Sequence, residues 1–313
     1  MSVKCSDRFL SMNSQEDLKS SDELLERLQF VEIYTRKRIQ AHILGEYESS
    51  LKGTGFEFRE HKKYQRGDDY RRIDCNVTAR FQYPYVKQFV AEKEVNVWLV
   101  CDLSSSMFFG SGQRSKSEVM TEVAAVLGFS ASQLHMKVGF LSFSDQVESC
   151  LAPRQSRVVT WDILRLIPHS RSSRRLTCFD DIAETLRKRI KGTSLIFFLS
   201  DFISLEQMFE NPQMGYLARH HDLIPVVIED PLERAIPQLP GLHLLEDSES
   251  GHRRMSYWSK ENVNKYQREI ERRRQSLTSM FYSMDLDSLW IDAGDENFVD
   301  RLLEHFLRRR RLS

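Results

Sequence analysis

Apolar residues in this chain gather into short β-branched runs, separated by longer stretches with helical spacing. The sharpest run is Val95-Asn96-Val97-Trp98-Leu99-Val100-Cys101, which stops at Asp102 and is followed by Leu103 and three serines. Its length and composition predict a strand buried on both faces, as in a parallel sheet. Apolar runs at 138–143, 194–201 and 223–228 predict further strands. Residues 147–151 pair back on 138–143 as a hairpin, and 288–291 form a last short strand. Between the strands, 116–136 carries a wide apolar face of Val119, Met120, Val123, Ala124, Val126 and Leu127, and predicts a helix. Helices are also predicted at 159–167 (ending at Pro168), from the 176–181 segment to about residue 190, at 262–284 and at 298–311. A short hairpin is expected over 242–245 and 254–257, and a strand at 85–90 leading toward the central one. Strands alternating with helices give an α/β fold class: a doubly wound, mostly parallel central sheet with helices on both faces.

Upstream, residues 1–20 are polar and end in serines, which predicts a loose tail. A helix begins at Ser21, with Leu24, Leu25, Leu28 and Val31 on one face. Residues 21–92 are thus an N-terminal helix and an arginine- and aspartate-rich β segment packed on the main domain, which occupies 93–313.

Composition narrows the function. The 313 residues carry 45 Lys and Arg against 45 Asp and Glu, so charge gives no general attraction to nucleic acid or anionic membrane. No stretch of about eighteen apolar residues occurs, so no transmembrane helix is expected. The first twenty residues lack a signal-type apolar core. Cys5, Cys75, Cys101, Cys150 and Cys178 are scattered and odd in number, which predicts reduced thiols and a cytoplasmic protein. The nine histidines show no zinc-type spacing. Arg272-Arg273-Arg274 and Arg308-Arg309-Arg310-Arg311 read as charge runs, the second at a helix end that favours cations.

The chemistry-bearing residues sit where strands end. Asp102, Ser104 and Ser106 are spaced Asp-x-Ser-x-Ser, so one carboxylate and two hydroxyls point the same way from a turning segment. Such a low-charge, all-oxygen set suits a hard divalent cation such as Mg²⁺. The same residues also suit a plain strand-to-helix turn. Asp201 closes a second apolar run. If its strand neighbours the first at a topological switch point, both carboxylates face one crevice. Thr177, in the loop before a helix, has two readings: a hydroxyl over that crevice, or a helix N-cap.

This constellation resembles the metal-ion-dependent adhesion site of von Willebrand factor A domains, over roughly residues 93–230. Upstream, Tyr64-Gln65-Arg66-Gly67-Asp68-Asp69-x-Arg71-x-Ile73-Asp74-x-Asn76-x-x-Ala79-Arg80 resembles the signature of the bacterial domain-of-unknown-function family fifty-eight. That family carries a von Willebrand A-like domain and is commonly encoded beside MoxR-type AAA+ ATPases. The chain departs from it at Cys75, where the family usually has Trp. It also lacks the upstream transmembrane segments of many members, which points to a freely soluble one.

The resemblance implies a metal site built from Asp102, Ser104, Ser106, Thr177 and Asp201, with Mg²⁺ or another divalent cation. The serines and threonine would meet the metal directly and the acids act through water. It implies a non-enzymatic protein-binding module whose metal grips an acidic side chain of a partner. The partner would be a MoxR-type AAA+ ATPase or the protein it remodels, with no nucleic acid and no membrane insertion. The alternative is a metal-dependent hydrolase of phosphate esters, with Asp68, Asp69 and Asp74 joining Asp102 and Asp201 around a second ion. The arginine–aspartate block itself is either an internal salt-bridge network or a recognition surface.

Overall fold

A computed structural model of the chain describes residues 57–65, 70, 73–81, 83–90, 95–169, 179–203, 205–234, 241–246, 253–295 and 297–312. The predicted tail at 1–20, the helix from Ser21, Thr177 and much of the arginine–aspartate block (Asp68 and Asp69 included) lie outside the described residues. The described residues fall into two compact units, the smaller ending at Val95 and the larger beginning at Asn96.

In the smaller unit, β1 (Glu57–Lys63) pairs antiparallel with β2 (Tyr85–Val90), with a register shift between Phe58 and Glu60. The 85–90 strand therefore joins a two-stranded sheet of its own rather than the central one. Helix α1 (Cys75–Phe81) lies between the two strands in sequence. Asp74 caps it, its Oδ1 accepting from the backbone N–H of Asn76 at 2.9 Å and of Val77 at 3.3 Å.

The larger unit is a mixed α/β structure around a six-stranded sheet. In chain order it contains β3 (Asn96–Asp102), α2 (Lys116–Gln133), β4 (Lys137–Phe143), β5 (Val147–Arg154), α3 (Arg157–His169), α4 (Phe179–Arg189) and β6 (Ser194–Ser200). Then come α5 (Glu206–Glu210), α6 (Pro212–His220), β7 (Asp222–Glu229), α7 (Pro231–Arg234), β8 (Gly241–Glu246), β9 (Arg253–Trp258), α8 (Lys260–Ser283), β10 (Leu289–Asp292) and α9 (Phe298–Leu312). The strand order is β10-β7-β6-β3-β4-β5; every neighbouring pair is parallel except β4 with β5. Strands β8 and β9 form a separate hairpin. Both edges of the sheet are unfriendly to further pairing: β10 has four residues, and β5 carries Pro153 within a register irregularity.

Side chains alternate across the sheet, and both faces are covered. Trp98, Val100, Ile196 and Phe198 share a core with Leu186 of α4, Phe209 of α5, Leu217 of α6 and Phe281 of α8. The rings of Phe198, Phe202, Phe209 and Phe281 meet there at centroid distances of 5.2 to 5.8 Å. On the other face, Phe197 meets Phe306 of α9 edge-on at 6.0 Å. Helix α2 lies there too, buried along nearly its whole length. It needs Gly128 because α3 comes close: a Cβ there would stand 2.7 Å from Thr160 Cγ2. The helix stops at Gln133 rather than 136 because His135 takes a left-handed backbone, φ 58°.

This strand order positions the crevice. The chain leaves β3 toward β4 on one side and leaves β6 toward β7 on the other, yet β3 and β6 are neighbours. Their carboxyl ends therefore flank a switch point, where open sheets of this kind leave room for a ligand.

Candidate functional site

The chain turns sharply where β3 ends, and its first acid organises the turn. Asp102 Oδ1 accepts the backbone N–H of Ser104 at 2.8 Å, and a 3₁₀ turn over Ser105–Phe108 follows. The geometry brings Ser104 Oγ and Ser106 Oγ to 3.1 Å from each other. Mg²⁺ holds oxygens at about 2.0–2.1 Å in an octahedron, so adjacent ligand oxygens lie roughly 2.9–3.0 Å apart. At that distance the two hydroxyls hydrogen-bond to each other, a separation that neighbouring ligands of one such ion would also show.

The end of β6 completes the rim. Ser200 Oγ donates to Asp102 Oδ2 at 2.6 Å and accepts the N–H of Phe202 at 2.8 Å. Phe202 turns the chain with φ 54°. Asp201 Oδ1 accepts the N–H of Ile203 at 2.9 Å, and Arg273 of α8 donates to the Asp201 carbonyl at 3.0 Å. The two strand-end acids feel each other. Burial, and then the charge of Asp201, push the Asp102 carboxyl up to about 7, against the hydrogen bonds from Ser200 and Ser104.

Of the five residues singled out from sequence, Asp102, Ser104, Ser106 and Asp201 lie at the ends of the neighbouring strands β3 and β6. Thr177 lies outside the described residues. Of the acids in the alternative set, Asp74 caps α1, and Asp68 and Asp69 lie outside the described residues. Among the described residues no three His, Cys, Asp or Glu side chains converge as a metal-binding group.

Sequence reasoning missed a second layer of this rim. Lys116, the first residue of α2, is completely buried, and its Nζ lies 2.7 Å from Asp201 Oδ2 and 2.5 Å from Glu233 Oε1. Glu233 Oε2 accepts the N–H of Asp230 at 3.2 Å, while Asp230 Oδ1 accepts that of Leu232 at 2.8 Å, so Asp230 and Glu233 cap α7. Asp230 also takes the backbone N–H of Ser111 at 2.8 Å and the Ser111 hydroxyl. The loop after β3 is thereby tied to the end of β7. Two local signals were readable: Ser115-x-x-Glu118, a capping box formed in full, and Asp230-Pro231-x-Glu233, with Pro at the first helical position.

Several arginines of the two runs make contacts within the larger unit. Besides Arg273, Arg274 faces Glu229 at 3.7 Å and stacks over Trp290 at 4.7 Å. Arg308 pairs with Asp287 and Arg309 with Asp222, at 2.9 and 2.8 Å. A cavity of about 810 Å³, lined by Trp98, Leu151, Arg154, Arg165, Leu166 and Lys191 among others, includes none of the rim residues.

The model of the family described as "Protein of unknown function DUF58" matches residues 60–276. The chain belongs to that family. Relatives include the uncharacterized proteins Rv1480 of Mycobacterium tuberculosis and Mb1516 of Mycobacterium bovis. Each is 28% identical over 235 residues, covering 73% of this chain and 72% of the relative. Among solved structures, a conserved hypothetical protein BatB from Bacteroides thetaiotaomicron is similar at 11% identity and TM-score 0.44, covering 70% of this chain and 100% of that one. An aerotolerance-related membrane protein from Bacteroides fragilis is similar at 12% identity and TM-score 0.37, covering 69% and 99%. Both likenesses are loose. No helix among the described residues is long and apolar enough to cross a membrane.

Proposed function

We propose that this member of the family is a non-enzymatic, metal-dependent protein-binding module, with a von Willebrand A-like arrangement in its larger unit. The observation that carries this reading is the 3.1 Å approach of Ser104 Oγ to Ser106 Oγ beside Asp102, at the crevice between β3 and β6. Asp102, Ser104 and Ser106 would hold Mg²⁺ or another divalent cation, with Asp201 in support and Thr177 as the remaining hydroxyl. A half-coordinated hard cation at a sheet rim offers its open positions to a carboxylate, so the partner presents Asp or Glu. From the family resemblance, that partner is a MoxR-type AAA+ ATPase or the protein such an ATPase remodels.

Calorimetric titration of Mg²⁺ and Mn²⁺ into wild type and Asp102→Ala tests the site. The expected result is binding by wild type and loss in the variant; equal binding by both overturns the reading. Pull-down with a MoxR-type ATPase, in Mg²⁺ and then in chelator, tests the partner. Capture that survives chelation removes the metal from the interaction.

A further inference from the structure

Lys116 is the buried charge that a simple cation site leaves unexplained. It is the first residue of α2, where the helix dipole works against a cation, and none of its side chain reaches solvent. A buried ammonium persists only where carboxylates surround it. Here two do, from different parts of the chain: Asp201 at the end of β6, and Glu233 in the short helix after β7. Asp201 also closes β6 beside the end of β3, and its Oδ2 is already engaged by a positive charge of the protein's own.

Resting on the metal-dependent reading above, we propose that Lys116 is a tethered competitor of the divalent cation at the β3/β6 rim. Its ammonium balances Asp201 in the cation-free site and sets how tightly a divalent ion is held. Glu233 moderates the competition because it draws on the same ammonium. When an ion engages Asp201, Lys116 shifts its pairing toward Glu233. Glu233 caps α7 with Asp230, and Asp230 holds Ser111, so occupancy of the rim is felt in the loop after β3.

The two partners of this arrangement have opposite signs. Removing the ammonium leaves Asp201 without a counter-charge and strengthens cation binding. Removing the charge of Glu233 leaves Lys116 less compensated and weakens it. A purely structural role would loosen the site in both variants and weaken both.

The experiment is calorimetric titration of Mg²⁺ and Mn²⁺ into the full chain as wild type, K116Q and E233Q at one ionic strength, with circular dichroism to establish folding. K116Q is expected to bind about tenfold more tightly or better, and E233Q at least about threefold more weakly, as a unit charge a few ångströms away dictates. A folded K116Q that binds no more tightly than wild type overturns the proposal. If K116Q does not fold, E233Q decides: binding equal to or tighter than wild type overturns the proposal, as does weaker binding with an altered near-ultraviolet circular dichroism spectrum, the mark of a loosened site; weaker binding with an unaltered spectrum supports it. Failure of the metal-dependent reading looks different. Divalent binding by K116Q but not by wild type upholds the tethered cation while removing the metal from the wild-type function.

Discussion

Ser200 Oγ donates to Asp102 Oδ2 at 2.6 Å and so fastens the end of β6 to the end of β3, with both residues buried. The same oxygen accepts the N–H of Phe202, so one hydroxyl serves two strand ends. Ser200→Ala leaves that N–H and one carboxylate oxygen without a partner. It is expected to cost about 1–3 kcal/mol, read as a lowered denaturant midpoint. Divalent affinity should fall with it, because Asp102 loses a donor that favours its ionised form.

The pH dependence of the cation-free protein has a sign fixed by Asp102. Its carboxyl is raised from 3.8 to about 7, first by burial and then by Asp201. The unfolded chain releases this proton at lower pH than the folded one. Stability from this group is therefore fully present below about 4 and is lost as pH rises through 7. Asp102→Asn removes that slope. In chelator, its unfolding free energy from guanidinium titration should exceed that of wild type at pH 8, by at least about 1 kcal/mol, and match it near pH 4.

Cation binding should run the other way with pH. A divalent ion requires the ionised carboxylate, so Mg²⁺ affinity rises as pH passes upward through about 7, with proton release on binding. Titrations in buffers of different ionisation enthalpy measure that release directly. A flat affinity from pH 6 to 8 would mean that Asp102 takes no part.

His305 contributes the opposite slope. Burial, chiefly, lowers its pKa from 6.5 to about 4; the charges of Arg309 and Arg308 act in the same direction and that of Asp287 against it. Its stabilising contribution is present above about 6.5 and is lost as pH falls through 4. His305→Leu should flatten the acid limb, removing on the order of 1–2 kcal/mol of the loss between pH 7 and 4.5 in urea titrations. Its Nε2 makes no hydrogen bond, and the two charged groups beside the ring, Asp287 at 3.7 Å and Arg308 at 3.5 Å, pair with each other at 2.9 Å, so an apolar replacement leaves neither without a partner.

Gly128 and Thr160 form a packing pair whose energetics can be isolated. A Cβ at position 128 would lie 2.7 Å from Thr160 Cγ2. Gly128→Ala should destabilise by about 1–2 kcal/mol, and Thr160→Ser, which deletes that methyl group, should relieve most of the loss in the double variant. Additive losses would place the strain elsewhere.

Much of this architecture was legible because it is written in contiguous residues. The run from Val95 to Asp102 announces a strand with an acid at its end, and the run to Asp201 does the same. The mostly parallel sheet follows from alternation with helices. Short elements left weaker traces: α5 and α6 are too brief for a clear period, though Asn211 and Pro212 mark a helix start. Helix α3 runs to His169, past the Pro168 expected to end it, because a proline in the last turn leaves the earlier helix bonds intact. Lys116 was invisible because its meaning lies 85 and 117 residues away, in Asp201 and Glu233. At the start of a helix it reads as an ordinary solvated lysine. Only the sheet order, which sequence patterning does not give, brings the three together.

The sheet's margins have a consequence for how the protein can assemble. With two register irregularities and Pro153 near the end of one outer strand, and only four residues in the other, neither side of the central sheet presents a long, regular row of free backbone donors and acceptors. Strand-by-strand annexation of another chain, the route to swapped dimers and fibrils, is blunted at both margins. At the central sheet, a companion protein is left to engage chiefly through side chains.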